Sequence, residues 1–469
     1  MRLGLILAIG ISLLLSWKIW TNNSHYERQT DSQTTQKTPT RNADHQLADT
    51  FLPTQVLWRQ TDQSELLYNS KENIVTQLKK TLKKTQIAAF KKVKLNETRY
   101  GQQLKTDKTV TLLYPDDVTY GILKEVFSYQ GKNRGGIKNN ATFNRIQITL
   151  GSKTADLWLL NDRTKVGYQA ELTGFSKQKI KELVNASDVH LKVEEQFLNH
   201  KPLMYVAANQ QLAPYSYLVN QQPENYYISS LLNQQNTDSI NTKEQGDSAI
   251  YTDGTDSEQY KRLTIDHKTG EISFIKYEDV AVPKTTTKQF ETSFDALLKT
   301  GNSLAGMRYY SHDEKTDTTT FRTYVEGFPV FYQTNFGSVK VQLLPTGQRV
   351  DFSNYSLQVP VPAEDHQVTL DSTESVLNQL TQNGFLLEDV DNIQVGYEWT
   401  KESDNDQVID LNPTYFIQYQ GTWRSLSALL ALKTELTEGS WINGFPKNWN
   451  DFYCDFYCTR YLFIYLAQG

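Results

Sequence analysis

Cysteine is almost missing from this chain: among 469 residues only Cys454 and Cys458 occur, both close to the C-terminus. A chain of this size without cysteine elsewhere is not held together by disulfides. No cysteine follows the apolar run at the N-terminus, which excludes lipoprotein processing. An excess of basic charge is absent as well. With 22% charged residues and a formal charge of -5, the chain offers nucleic acid no global attraction. Catalytic signatures are also lacking, since no H-E-x-x-H, P-loop, G-x-S-x-G or paired C-x-x-C occurs. The seven histidines are scattered, and no two lie at metal-ligand spacing on a helix. No metal or cofactor is expected. A hydrolase built on two carboxylates stays open, because its acids can come from distant segments.

What the chain does have is one long apolar run, Leu3–Trp20. Its length suffices to cross a hydrocarbon core of about 30 Å as a helix. Arg2 precedes it and Lys18 is the next charge, so the positive-inside rule keeps the N-terminus in the cytoplasm and puts the bulk outside. Trp17 and Trp20 sit where an aromatic belt anchors the outer end. The alternative is a cleaved signal peptide, but Ser16-Trp17-Lys18-Ile19-Trp20 is a poor cleavage site. Gly4, Ala8, Ser12 and Ser16 fall at successive i, i+4 positions on one face. Small-residue stripes let helix backbones approach closely in lipid. The stripe is read as a helix–helix interface, and the plain alternative is the ordinary small-residue content of any span.

The remainder reads as α+β, with an N-terminal transmembrane helix followed by a multidomain extracytoplasmic region of antiparallel sheets with packed helices. Residues 1–21 are the cytoplasmic tip and span, and 22–50 a polar stalk with too little apolar surface to fold. An N-terminal α+β domain covers 51–200, a middle domain 201–285, and a C-terminal α+β domain of two weakly related units 286–432. Residues 433–469 form an atypical tail outside the packed structure. Asn443–Lys447 can be encoded by bases whose +1 frame reads Met-Asp-Phe-Arg-Lys, so Asn443–Gly469 is read as an overlap with a downstream gene or a frameshift product. Within the domains, helices are expected over 71–84 (capped by Ser70), from Pro115-Asp116 onward, 177–186, 223–233, 293–304 and 372–383. Strands are expected at 109–114, 143–150, 155–160, 166–172, 203–207, 248–252, 263–265, 271–277, 318–325, 330–334, 338–344, 393–399 and 414–419.

Three features outside the membrane segment invite a functional reading. Lys79, Lys80, Lys83 and Lys84, with Lys91, Lys92 and Lys94 beyond, crowd one helix and its exit. This is a solvated face or a contact for something anionic, such as lipid headgroups, a wall polymer or an acidic partner. Asp116-Asp117 and Glu194-Glu195 are paired acids, and both pairs are read as helix-end residues favoured by the helix dipole. Gly396–Trp399 and Pro413–Trp423 are aromatic-rich strands, which pack a sheet or offer a platform to carbohydrate or peptide.

An ordered set of segments resembles the YycH family. It comprises the span ending Trp17-Lys18-Ile19-Trp20-Thr21, the Phe51-Leu52-Pro53 start, and Ser248–Thr255 reading SAIYTDGT. It continues with Val359-Pro360 and the Ile393–Trp399 strand with its Pro413–Trp423 partner, and so covers the chain to about Ala431. The resemblance implies a membrane-anchored, non-enzymatic regulator of the WalK/WalR (YycG/YycF) two-component system, which governs cell-wall metabolism. Its implied partners are the sensor histidine kinase WalK and a YycI-like protein, both met in the membrane. A wall-polymer-binding or scaffold protein is the alternative, with anionic lipid a further candidate contact.

Overall fold

The computed structural model describes residues 46–438, apart from 62, 69–72, 84, 129–136, 151–154, 188, 233–239, 254–259, 302, 332–336, 362–366 and 402–406. The apolar run, the cap Ser70, Lys84, the Gly254 turn and the cysteine-bearing tail therefore lie outside the described residues. Among those described, no helix is long and apolar enough to cross a membrane.

Two large sheets carry the chain. The first contains β1 (Gln55–Gln60), β2 (Gln63–Tyr68), β3 (Gln86–Ile87), β4 (Lys91–Lys94), β5 (Thr109–Thr119), β6 (Thr142–Thr149), β7 (Ala155–Leu160), β8 (Val166–Thr173), β9 (Val189–Leu198) and β10 (Lys201–Val206). Their order is β10-β9-β2-β1-β5-β6-β7-β8-β3, with β4 also on β8. A small pair, β11 (Gln210–Leu212) and β23 (Val368–Leu370), bridges toward the second sheet. The second sheet is built from β12 (Tyr215–Gln221), β13 (Ile240–Gln245), β14 (Ser248–Asp253), β15 (Lys261–Asp266), β16 (Glu271–Tyr277), β17 (Met307–Asp313) and β18 (Thr318–Val325). It continues with β19 (Phe328–Phe331), β20 (Ser338–Leu344), β21 (Gly347–Ser353), β22 (Tyr355–Val361), β24 (Val390–Lys401), β25 (Val408–Tyr419) and β26 (Thr422–Ser425). Its main path is β13-β14-β15-β16-β21-β20-β18-β19-β24-β25-β12-β22. Strands before and after residue 286 thus share one sheet.

Among the described strands, β19–β24 is the single parallel pair. The turn that sets it up is Glu326-Gly327, both at positive φ (50° and 78°), as a tight two-residue hairpin demands. Gly396 permits the close approach of β24, because a Cβ there would lie 2.7 Å from the Pro329 carbonyl oxygen. Side-chain alternation sends Val56 and Leu67 into one apolar core and Leu57 and Leu66 into another, so the first sheet is covered on both faces.

The observed boundaries correct several expectations. No helix starts at Pro115: β5 runs on to Thr119, and the helix is Tyr120–Phe127, capped by the Thr119 hydroxyl. Between the pairs Leu113–Arg145 and Val118–Phe143, β5 has four residues where β6 has Asn144 alone. Pro115 lies in that bulge, where it costs no ladder hydrogen bond. The helix expected at 293–304 is Thr286–Lys299, capped by Thr285. Ser293 lies inside the helix, buried with its hydroxyl on Thr319, and Gly301 follows the helix at φ 71°. Leu47–Thr50, inside the segment read as stalk, forms a helical turn with Thr50 buried. The last helix, Leu426–Glu438, continues past Leu432.

Candidate functional site

Asp116 and Asp117 occupy the β5 bulge, at the seam between the two sheets. The helix-end reading of these acids is therefore wrong: the bulge turns the Asp116 carboxylate toward β17 and the Asp117 carboxylate toward Arg163, between β7 and β8. Asp116 accepts from the His312 backbone N–H (2.9 Å) and from that of Asp117 (2.8 Å). Burial pushes both carboxyls up from the ordinary 3.8, while N–H donors on Asp116, and Asn161 with Arg163 on Asp117, work in the opposite direction. Arg163 donates to Asp117 (2.8 Å) and reaches across to Glu314 (3.2 Å). The Tyr309 hydroxyl donates to the Asp117 carbonyl (2.7 Å). The Thr119 and Thr287 hydroxyls meet at 2.7 Å. His312 sits edge-on to Phe290, with Nδ1 at 3.1 Å from the Thr319 hydroxyl and Nε2 buried without a hydrogen-bond partner among the described residues. Burial lowers its pKa, against the pull of Asp317, Glu314 and Asp313.

The same seam receives the lead-in segment. Phe51, fully buried, lies 5.3 Å from Phe290, is stacked on Tyr309 at 5.1 Å and meets Phe321 edge-on at 6.0 Å. These partners come from the helix Thr286–Lys299 and from β17 and β18 of the second sheet.

A second constellation lies in the first sheet. Glu195, on β9 and nearly inaccessible, accepts from Arg59 on β1 (3.0 Å) and from Arg145 on β6. Here too the helix-end reading fails, since Glu194 and Glu195 belong to a strand and only Glu195 turns inward. Arg145 also donates to both Asp162 oxygens (2.7 and 2.9 Å), and Tyr100 and Asn144 donate to Asp162 at 2.6 and 2.8 Å. Burial works against the charge on Arg145, but Asp162 and Glu195 outweigh it and raise its pKa. Burial, then Asp162, raises that of Tyr100. Two cations and two anions balance, as a buried ionic network requires.

The third is Arg322 on β18. It is buried between Tyr310 and Phe331, its guanidinium carbon 4.8 and 4.2 Å from the ring centroids. Nη1 donates to the Val330 carbonyl (2.9 Å), and Nε has no hydrogen-bond partner among the described residues. Phe331 stacks on Phe416 at 4.1 Å and packs against Trp423 at 5.5 Å. Tyr310 and Phe331 thus flank the cation, backed by Phe416 of β25 and Trp423 of β26, while Tyr397 and Trp399 of β24 pack in a separate core.

Of the residues singled out from the sequence, Gly4, Ala8, Ser12, Ser16, Trp17, Trp20 and Lys84 lie outside the described residues. Lys79, Lys80 and Lys83 share the helix Ile74–Lys83, whose Ile74, Val75, Leu78 and Leu82 face the core. Lys80 and Lys83 are exposed, and Lys79 is half-buried. Burial lowers the pKa of Lys79, with Asp49 of the lead-in segment opposing. Lys91, Lys92 and Lys94 are exposed on β4, which among the described strands pairs with β8 alone. Lysines on such an edge discourage pairing with another chain. Sequence reasoning missed Arg59, Arg145, Asp162 and Arg322; an arginine in a strand beside one large apolar neighbour (Trp58, Ile146 or Phe321) was the one available signal. Among the described residues, no cluster of three or more His, Cys, Asp or Glu side chains could hold a metal.

Two family profiles match in order: "YycH protein, N-terminal domain" over residues 3–188 and "YycH protein, C-terminal domain" over residues 201–434. Among solved structures, the crystal structure of YycH from Bacillus subtilis aligns with a TM-score of 0.65 at 13% identity, covering 81% of this chain and 97% of that one. At that identity the likeness concerns the fold. No curated protein matches the sequence.

Proposed function

The chain belongs to the YycH family, and from that premise we propose that it is a regulator of the WalK/WalR two-component system, anchored by its N-terminal helix, with the described body outside the cell. The family is regulatory rather than catalytic. In this reading Leu3–Trp20 spans the membrane, and Gly4, Ala8, Ser12 and Ser16 form the face that meets the helices of the sensor kinase and of a YycI-like protein. The observation that carries it is the extent of the family match, which begins at residue 3 and so takes in the apolar run. A few kcal/mol of differential helix contact suffices to shift a kinase between two states. The lysines of the helix Ile74–Lys83 are left as a secondary candidate for anionic contact.

Replacing Ala8 and Ser12 together by Leu should reduce co-purification of the kinase several-fold and alter output of the pathway. Crosslinking from positions 4 to 16 inside the membrane should report which helix answers. Undiminished association of the double variant would remove the helix face from the account.

A further inference from the structure

The segment that leads into the body is gripped by the distant half of the chain. Backbone bonds order it locally, with the Phe51 N–H donating to the Leu47 carbonyl (3.0 Å) and the Thr54 N–H to the Leu113 carbonyl (2.9 Å). Two of its side chains, Phe51 and Thr54, reach the second half. Phe51 fills a socket made by Phe290, Tyr309 and Phe321, and Tyr324 hydrogen-bonds to Thr54. Gly327 completes the contact, since a Cβ there would come within 3.0 Å of the Thr54 carbonyl oxygen. A simple tether would need none of this, because β1 alone fixes the chain to the first sheet from Gln55 onward. A single aromatic side chain in a fully desolvated pocket is the usual form of an energetic anchor between two surfaces.

We propose that the Phe290–Tyr309–Phe321 socket is a coupling site for an aromatic-anchored peptide, occupied in cis by Phe51, through which the C-terminal half holds the lead-in segment. An event that loosens or tightens the C-terminal half then changes how the segment is held, and with it how the body is tethered to the stalk. This rests on the anchored-regulator reading for its output, but the seating of Phe51 stands on its own geometry. The socket adjoins the carboxylate seam through Tyr309, whose hydroxyl bonds the Asp117 carbonyl.

The test uses the full chain in membranes. Phe51→Ala and Phe321→Ala empty the contact from opposite sides; Phe51→Leu keeps an apolar plug and serves if truncation impairs folding. Phe352→Ala, a buried aromatic of β21, is the control. Amide exchange at 51, 52 and 54 should quicken roughly tenfold or more in both truncations while β24 and β25 stay protected. A reporter of the kinase pathway should move in the direction seen on deleting the protein. Unchanged exchange in Phe321→Ala overturns the socket. Faster exchange with a reporter that stays at wild type, although deletion shifts it, overturns the coupling. If deletion itself leaves the reporter unmoved, the regulator reading falls and exchange alone decides the socket.

Discussion

In the first sheet Arg145 lies between Glu195 and Asp162, with Arg59 on the far side of Glu195; in the second, Arg322 lies between the rings of Tyr310 and Phe331, and no described carboxylate accepts from it. Both guanidinium groups are out of water. One is neutralised by opposite charge, which demands that several strands keep their places, and its loss leaves other charges stranded. The other is solvated by π faces and a carbonyl, an arrangement that tolerates replacement because nothing charged depends on it. Burial lowers the pKa of Arg322, whereas its carboxylate neighbours raise that of Arg145. A buried arginine therefore says little about stability until its partners are known.

The sharpest way to break this contrast is a pair of substitutions. Glu195→Ala strands Arg59, leaves Arg145 with Asp162 alone, and should cost about 3–5 kcal/mol in urea unfolding. Arg322→Met removes the charge with its desolvation penalty, gives up cation–π attraction and one carbonyl bond, and should cost about 1–2 kcal/mol. Equal losses would abolish the distinction. A smaller effect comes from the seam, where charge is neither fully paired nor π-solvated. Asp116 and Asp117 titrate above the ordinary 3.8, so the folded chain holds those protons more tightly, and stability falls as pH rises through that raised range. His312 titrates below the ordinary 6.5, so the unfolded chain takes its proton first, and stability falls as pH drops from 6.5 through the lowered range. His312→Asn should remove the acid-side loss and leave the carboxylate dependence in thermal melts across that interval. An unaltered profile would place the acid sensitivity elsewhere. Least of all should change in Lys80→Gln with Lys83→Gln, within about 0.5 kcal/mol, as befits a solvated face. Loss of binding to anionic vesicles in that variant would instead favour the contact reading.

Much of the scaffold was legible because local rules and burial agree. β18, β20 and β16 fall where alternation put them, and Ser372 caps the helix Thr373–Gln382 as its sequence suggests. Hairpin geometry at Asp266–Gly270 follows from its turn residues. The bulge was not legible. Pro115 followed by two acids looks like a helix start, and the true cap, Thr119, is marked only by what packs above it. The ionic network was hidden for a different reason. Arg59 and Glu195 are 136 residues apart, and Arg145 and Glu195 are 50 apart, so each reads as a polar position on a half-exposed strand. Long-range pairing, which the pattern of one strand does not encode, decides which of those positions is covered.

The strand order of the second sheet also sets a timetable for synthesis. β12 emerges soon after the first sheet is complete, yet its neighbours are β22 and β25, and Ser216 bonds Asp410 at a sequence separation of 194. Until the ribosome has delivered those late strands, β12 waits as an open template with its backbone groups unmatched. Such distant partners make for slow closure, and the nascent chain depends on being shielded throughout that interval.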